Sequence, residues 1–99
     1  MSDYAEELRR HRRLAILRHL EASTEYISNT SVLTDVLLRL GLGATRDQVR
    51  TECVWLADQG FATVTGDGEF AVVKATIRGC EIATGIARHP DIQRPRPRL

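Results

Sequence analysis

The chain has 99 residues, enough for one small domain with a modest core. Hydrophobic residues make up 42% and charged residues 27%, which fits a globular fold and argues against a disordered chain. No apolar run approaches the roughly 20 residues that span a bilayer, and the polar start Met1-Ser2-Asp3-Tyr4 does not read as a secretory leader, so a cytoplasmic location in a bacterial host is expected. The net charge is only +1, but arginines crowd both ends: Arg9, Arg10, Arg12, Arg13 and Arg18 near the start, Arg88, Arg94, Arg96 and Arg98 near the close.

Residues 4 to 22 read as a first helix, with Leu8, Leu14, Leu17 and Leu20 near one stripe and Ile16 beside it. Asp3, Glu6 and Glu7 stand where carboxylates favour the positive helix end. The run Arg9-Arg10-His11-Arg12-Arg13 covers more than half of the circumference, so part of it must face solvent. Tyr26-Ile27-Ser28-Asn29 reads as a connector whose apolar residues tuck under the core, with Ser28 or Asn29 as the next cap. A second helix over about Thr30 to Leu40 buries Leu33, Val36, Leu37 and Leu40 and stops at Gly41.

Thr45 caps a third helix, and Gln48 three residues on completes a capping box. Val49, Cys53 and Leu56 form its buried stripe with Trp55 flanking, which leaves Arg46, Asp47, Arg50, Thr51, Val54 and Asp58 on the exposed side. Gly60 ends it. Phe61 to Thr65 and Phe70 to Ala75 are β-rich, and Gly66-Asp67-Gly68-Glu69 between them carries an Asp-Gly hairpin signal. A last helix, capped by Thr76, runs from about Ile77 to Ala87, with Gly79 permitting close packing and Cys80, Ile82, Ala83 and Ile86 directed inward. The domain is expected to end at Arg88. Residues 89–99 read as a flexible basic tail in which proline fixes an extended course.

Two helices, a capped helix, a hairpin and a final helix form the layout of a winged helix-turn-helix domain of the α+β class. In such a motif the third helix presents its first turns to the major groove. Arg46 and Arg50, four residues apart on one side, suit either a guanine edge or a phosphate. Asp47 and Thr51 flank them, and Gln48 suits adenine except that its capping role competes for the same side chain. Arg9, Arg12 and Arg13 on the first helix, with Arg94 and Arg96 in the tail, are the expected backbone phosphate contacts. The alternatives are an ordinary solvated helix face and a tail without a binding role. The wing tip argues the other way, because Asp67 and Glu69 repel phosphate.

Catalysis is not expected. His11, His19 and His89 are scattered, and Gly66-Asp67-Gly68 is too short to cradle a phosphate. Cys53 and Cys80 lack a metal-ligand spacing and read as small buried residues, so no metal, cofactor or small-molecule substrate is expected.

Two segments carry a family resemblance. Trp55-Leu56-Ala57-Asp58-Gln59-Gly60-Phe61 is similar to the end of a recognition helix, and Ala75-Thr76-Ile77-Arg78-Gly79-Cys80-Glu81-Ile82-Ala83 to the entry of a final helix, in small ArsR-like winged-helix proteins of Mu-like phages and prophages. Arg46 to Glu52 and the closing Arg-Pro residues fit the same pattern, so that it covers about residues 14 to 97. The resemblance implies a winged-helix fold, a phage or prophage origin and a regulator of transcription. Metal-sensing ArsR proteins place paired cysteines in the recognition helix, whereas Thr51-Glu52-Cys53-Val54-Trp55 has one, on the buried stripe. Double-stranded DNA is the expected partner, with a homodimer seam on the first or the last helix. A protein-interaction module without sequence-specific DNA binding is the other reading, favoured by the acidic wing.

Overall fold

The Asp3 carboxylate accepts the Glu6 N–H at 2.8 Å and starts helix α1, Tyr4–Glu21. The computed structural model describes residues 3–67 and 70–96. Among them it has four helices and a three-stranded antiparallel sheet: α1, β1 (Ile27–Asn29), α2 (Thr30–Arg39), α3 (Arg46–Asp58), β2 (Ala62–Thr65), β3 (Val72–Ala75) and α4 (Ile77–Thr84). The fold is α+β, and the strand order is β1-β3-β2.

Strand β1 is the element that the sequence reading left as a connector. Three residues are too few for an alternating pattern to register. They form a strand because β3 offers its free edge, pairing Ile27 with Lys74, Ser28 with Val73 and Asn29 with Val72. Alternation then decides the faces. Ser28 shares the inner face with Val73 and Val64, while Ile27 joins Lys74 and Thr63 on the outer face. Ile27 and Tyr26 are consequently exposed, contrary to the expectation that they tuck under the core. Asn29, not Ser28, caps α2, its side-chain oxygen accepting the Val32 N–H at 2.8 Å.

The ends of α2 and α3 are closed in the same manner. Leu42 donates its N–H to the Leu37 carbonyl at 2.8 Å, and Phe61 donates to Leu56 at 2.9 Å. At the second site Gly60 takes a φ of 83°, a left-handed conformation with a steric cost for residues bearing a Cβ. That reversal sends Phe61 into the core and launches β2 from the base of α3.

The core joins Ile16, Leu17 and Leu20 of α1, Leu33 and Leu37 of α2, Val49, Cys53 and Leu56 of α3, and Val73 of β3, none of which is exposed. Helix α4 packs on α1 at Gly79, where an added Cβ would stand 2.0 Å from the Phe61 carbonyl oxygen and 3.2 Å from a Leu17 methyl. The helix ends at Thr84, three residues earlier than the pattern suggests, because Gly85 turns left-handed. Ile86 therefore lies outside it and is 77% exposed rather than directed inward.

The segment after Arg88 is the largest departure. It was expected to leave the domain as a flexible tail, yet through residue 96 it returns to the body. Ile92 is buried in the main core, and the Gln93 N–H donates to the Arg10 carbonyl at 3.2 Å. The cause is one apolar residue among prolines and arginines, whose burial outweighs the polar composition around it. Ile92 thus shares the core formed by the four helices and β3. Arg98 lies outside the described residues.

Candidate nucleic-acid interface

The first turn of α3 is built by its cap. The Thr45 hydroxyl accepts the Gln48 N–H at 3.1 Å, and Gln48 Oε1 accepts the Thr45 N–H at 2.9 Å. With Val49, Cys53 and Leu56 fully buried, the helix cannot roll, so Arg46, Asp47, Gln48 and Thr51 stay exposed. Arg50 is half-buried. The Thr51 hydroxyl donates to the Asp47 carbonyl at 2.9 Å. The box also limits Gln48. Bidentate reading of adenine needs both its amide oxygen and its amide nitrogen, and the oxygen is engaged.

Two of the expected phosphate contacts serve the fold instead. Arg12 donates from Nε to the Leu42 carbonyl at 3.0 Å and from Nη2 to the Gly43 carbonyl at 2.6 Å, fastening α1 to the turn between α2 and α3. Arg13 donates from Nε to Glu52 Oε1 at 2.7 Å and from Nη1 to the Asp91 carbonyl at 3.0 Å. Its guanidinium lies 3.8 Å from the centre of the Trp55 ring. Both partners of this ion pair are largely buried, with side chains 13% and 6% exposed. The reason is positional. A run of basic residues longer than one turn of α1 must place some of them against the protein, and a guanidinium can enter only where carbonyls, a carboxylate or a ring face meet it. Arg13 accordingly leaves the set of cations offered to DNA.

Glu52 is the residue that the sequence reading passed over. It stands three residues from Val49 and next to Cys53, on the buried side, and that placement of an acid was the available signal. Across Trp55, His89 meets the indole edge-on at 5.3 Å and the Phe61 ring at 5.6 Å. Its Nδ1 accepts the Asp91 N–H at 3.0 Å. The cluster therefore ties α1, α3 and the C-terminal segment together beside the exposed face of α3.

No family model matches this sequence, and no solved structure does. Among curated proteins, the chain is 44% identical over 88 residues to gp26, an uncharacterized protein of Escherichia phage Mu. The alignment covers 88% of this chain and 90% of that protein. The chain belongs to the gp26 family of Mu-like phages.

In this gp26-family chain the remaining basic groups are distributed unequally. Arg9 is exposed and lines a shallow groove of about 280 Å³ with Asp47, Gln48 and Thr51, so it extends the α3 surface. Arg94 and Arg96 are exposed, on the segment that packs back against the body. Lys74 lies on the outer face of the sheet, opposite Ile27 and Thr63, away from the hairpin turn. Asp67 is exposed at the turn, and Gly68 and Glu69 lie outside the described residues.

The other titratable groups are dispersed. Among the described residues no three His, Cys, Asp or Glu side chains gather as a metal would require. Cys53 and Cys80 are free thiols. Burial, reinforced by the Glu52 charge, pushes the Cys53 thiol up to about 12, and burial also raises that of Cys80. No helix among the described residues is long and apolar enough to cross a membrane.

Proposed function

We propose that this gp26-family chain is a DNA-binding transcriptional regulator of a Mu-like phage, built as a winged helix-turn-helix. The observation that carries the reading is the rigidly capped, exposed first turn of α3, set behind α2 by a turn fixed to α1 and followed at once by the β2–β3 hairpin. Helix α3 enters the major groove, where Arg46 and Arg50 contact guanine edges or phosphates, with Asp47 and Thr51 beside them. Arg9 holds the flanking phosphate backbone, and Arg94 and Arg96 add contacts that weaken with salt. Two copies, joined through α1 or α4, present their α3 helices to half-sites about one helical turn apart.

A second reading, a winged-helix protein-interaction module, is favoured by the exposed Asp67 on the hairpin and by the internal use of Arg12 and Arg13.

Fluorescence anisotropy on tiled duplexes of a Mu-like phage early region, at two salt concentrations, decides between them. Selective binding that is lost in the Arg46→Ala/Arg50→Ala variant, with the fold intact by circular dichroism, supports the regulator. Equal, weak binding to every duplex that the double substitution leaves unchanged supports the interaction module.

A further inference from the structure

A second surface, sharing no residue with the DNA-facing set, lies between α1 and α2. His11, Leu14, Ala15, Arg18 and His19 fall at positions i, i+3, i+4, i+7 and i+8 and line one side of an open groove of about 490 Å³. Val36 of α2 and Leu40, the residue that caps its C-terminus, form the other side, and Leu42 closes the end. The floor is apolar: Leu14, Ala15 and Val36 are buried residues whose edges reach the groove. Leu40 stands 59% exposed on its rim, although the sequence pattern assigns it to the core.

The charge of this groove is one-sided. Its lining contains Arg18 and two imidazoles and no carboxylate. Burial, and then the charge of Arg39, hold His19 below the usual imidazole value. Asp35 of α2 and Glu21 of α1, the acidic residues nearest in sequence on the two helices, are not among the lining groups, although Glu21 shares the adjoining depression with Arg18.

We infer that the α1–α2 groove receives an acidic amphipathic helix from a partner protein. Two features select that occupant. An apolar floor between two helices fits the i, i+3, i+4 and i+7 anchors of a third helix. A leucine-lined floor offers nothing to a nucleic-acid backbone, so the basic rim is matched by carboxylates on a protein. The inference does not rest on α3 or on DNA binding.

The test is a titration of the full ¹⁵N-labelled chain, followed by NMR, with two designed peptides. One carries leucines at i, i+3, i+4 and i+7 flanked by glutamates, and the other has lysine at every glutamate position. The acidic peptide should shift the amides of Leu14, Ala15, Val36 and Leu40 saturably and bind roughly three- to tenfold more tightly than its lysine twin. Arg18→Glu, at an exposed position, should reverse that preference, and Leu40→Asp should abolish binding of both peptides. No saturable shift, equal affinities for the two peptides, or shifts confined to α3 and the hairpin would each overturn the inference. So would concentration-dependent shifts at the same amides in the peptide-free chain, which would identify a second copy as the occupant.

Discussion

Gly79→Ala sets helix propensity against packing, and the two give opposite signs. Alanine is favoured over glycine inside a helix by about 1 kcal/mol, so propensity alone predicts a more stable protein. The structure predicts the reverse. The new Cβ would sit 2.0 Å from the Phe61 carbonyl oxygen, a backbone atom, and 3.2 Å from a Leu17 methyl in the centre of the core. Helix α4 has to retreat by about 1 Å or more to relieve that contact, and overpacking of this kind costs about 1–3 kcal/mol. The retreat strains two hydrogen bonds at the same corner: Thr76 N–H to the Phe61 carbonyl at 3.1 Å and the Thr76 hydroxyl to the Gly60 carbonyl at 2.8 Å. Each contributes about 0.5–1.5 kcal/mol.

After subtracting the propensity gain, the net loss is on the order of 3 kcal/mol. For a domain of this size that lowers Tm by roughly 12–24 °C. Urea and thermal unfolding followed by circular dichroism measure both quantities. Gly43→Ala is the control, because a Cβ there meets only a Leu38 methyl at an ordinary 3.4 Å, and it should leave stability nearly unchanged. A Gly79→Ala protein that melts at or above the parent temperature would refute the close approach of α4 to the Phe61 carbonyl.

The same packing sets the remaining outcomes. Leu56→Ala removes a fully buried side chain and should cost about 2–5 kcal/mol in urea unfolding. Glu52→Gln should destabilise by roughly 2–4 kcal/mol, because it leaves the largely buried Arg13 guanidinium without its counter-charge. A double-mutant cycle with Arg13→Met should return a favourable coupling between the two side chains. Cys53 should resist maleimide at pH 8 in the native chain and react once unfolded, while the half-buried Cys80 reacts slowly in both the parent and a Cys53→Ala variant, as read by mass spectrometry. The Cys53 thiol titrates at about 12 when folded and at 9.0 in its ordinary state, so the unfolded chain loses that proton first. Its contribution to stability is complete below pH 9.0 and declines as pH rises toward 12, a slope that Cys53→Ala should remove.

The parts of this fold legible in the sequence are those written in short-range chemistry. The α3 cap needs Thr45 and Gln48 three residues apart, and the buried stripe of α3 needs only helical periodicity. What sequence reading missed depends on partners distant along the chain. Strand β1 exists because β3 has an edge to offer, and nothing within Ile27–Asn29 announces that edge. Arg12 and Arg13 look like solvated cations until the α2–α3 turn and Glu52 are brought beside them. The segment after Arg88 reads as tail because its composition is polar, and its course is set by the single side chain of Ile92 finding the core. Of the surface assigned to DNA, the positions of Arg46, Asp47 and Thr51 followed from periodicity and the engagement of Gln48 Oε1 from the capping box, whereas the internal bonds of Arg12 and Arg13 depend on tertiary partners.

The environment of Trp55 makes this molecule self-reporting. It is the one tryptophan of the chain, with a guanidinium over its face and an imidazole at its edge, and the latter belongs to the segment that closes over it. Release of that segment would strip the imidazole from the indole and free Arg13 Nη1 from the Asp91 carbonyl without unfolding a helix. Emission from an unmodified sample could then distinguish undocking of the C-terminal stretch from global melting, and could follow it in real time while α3 or the α1–α2 cleft is being titrated.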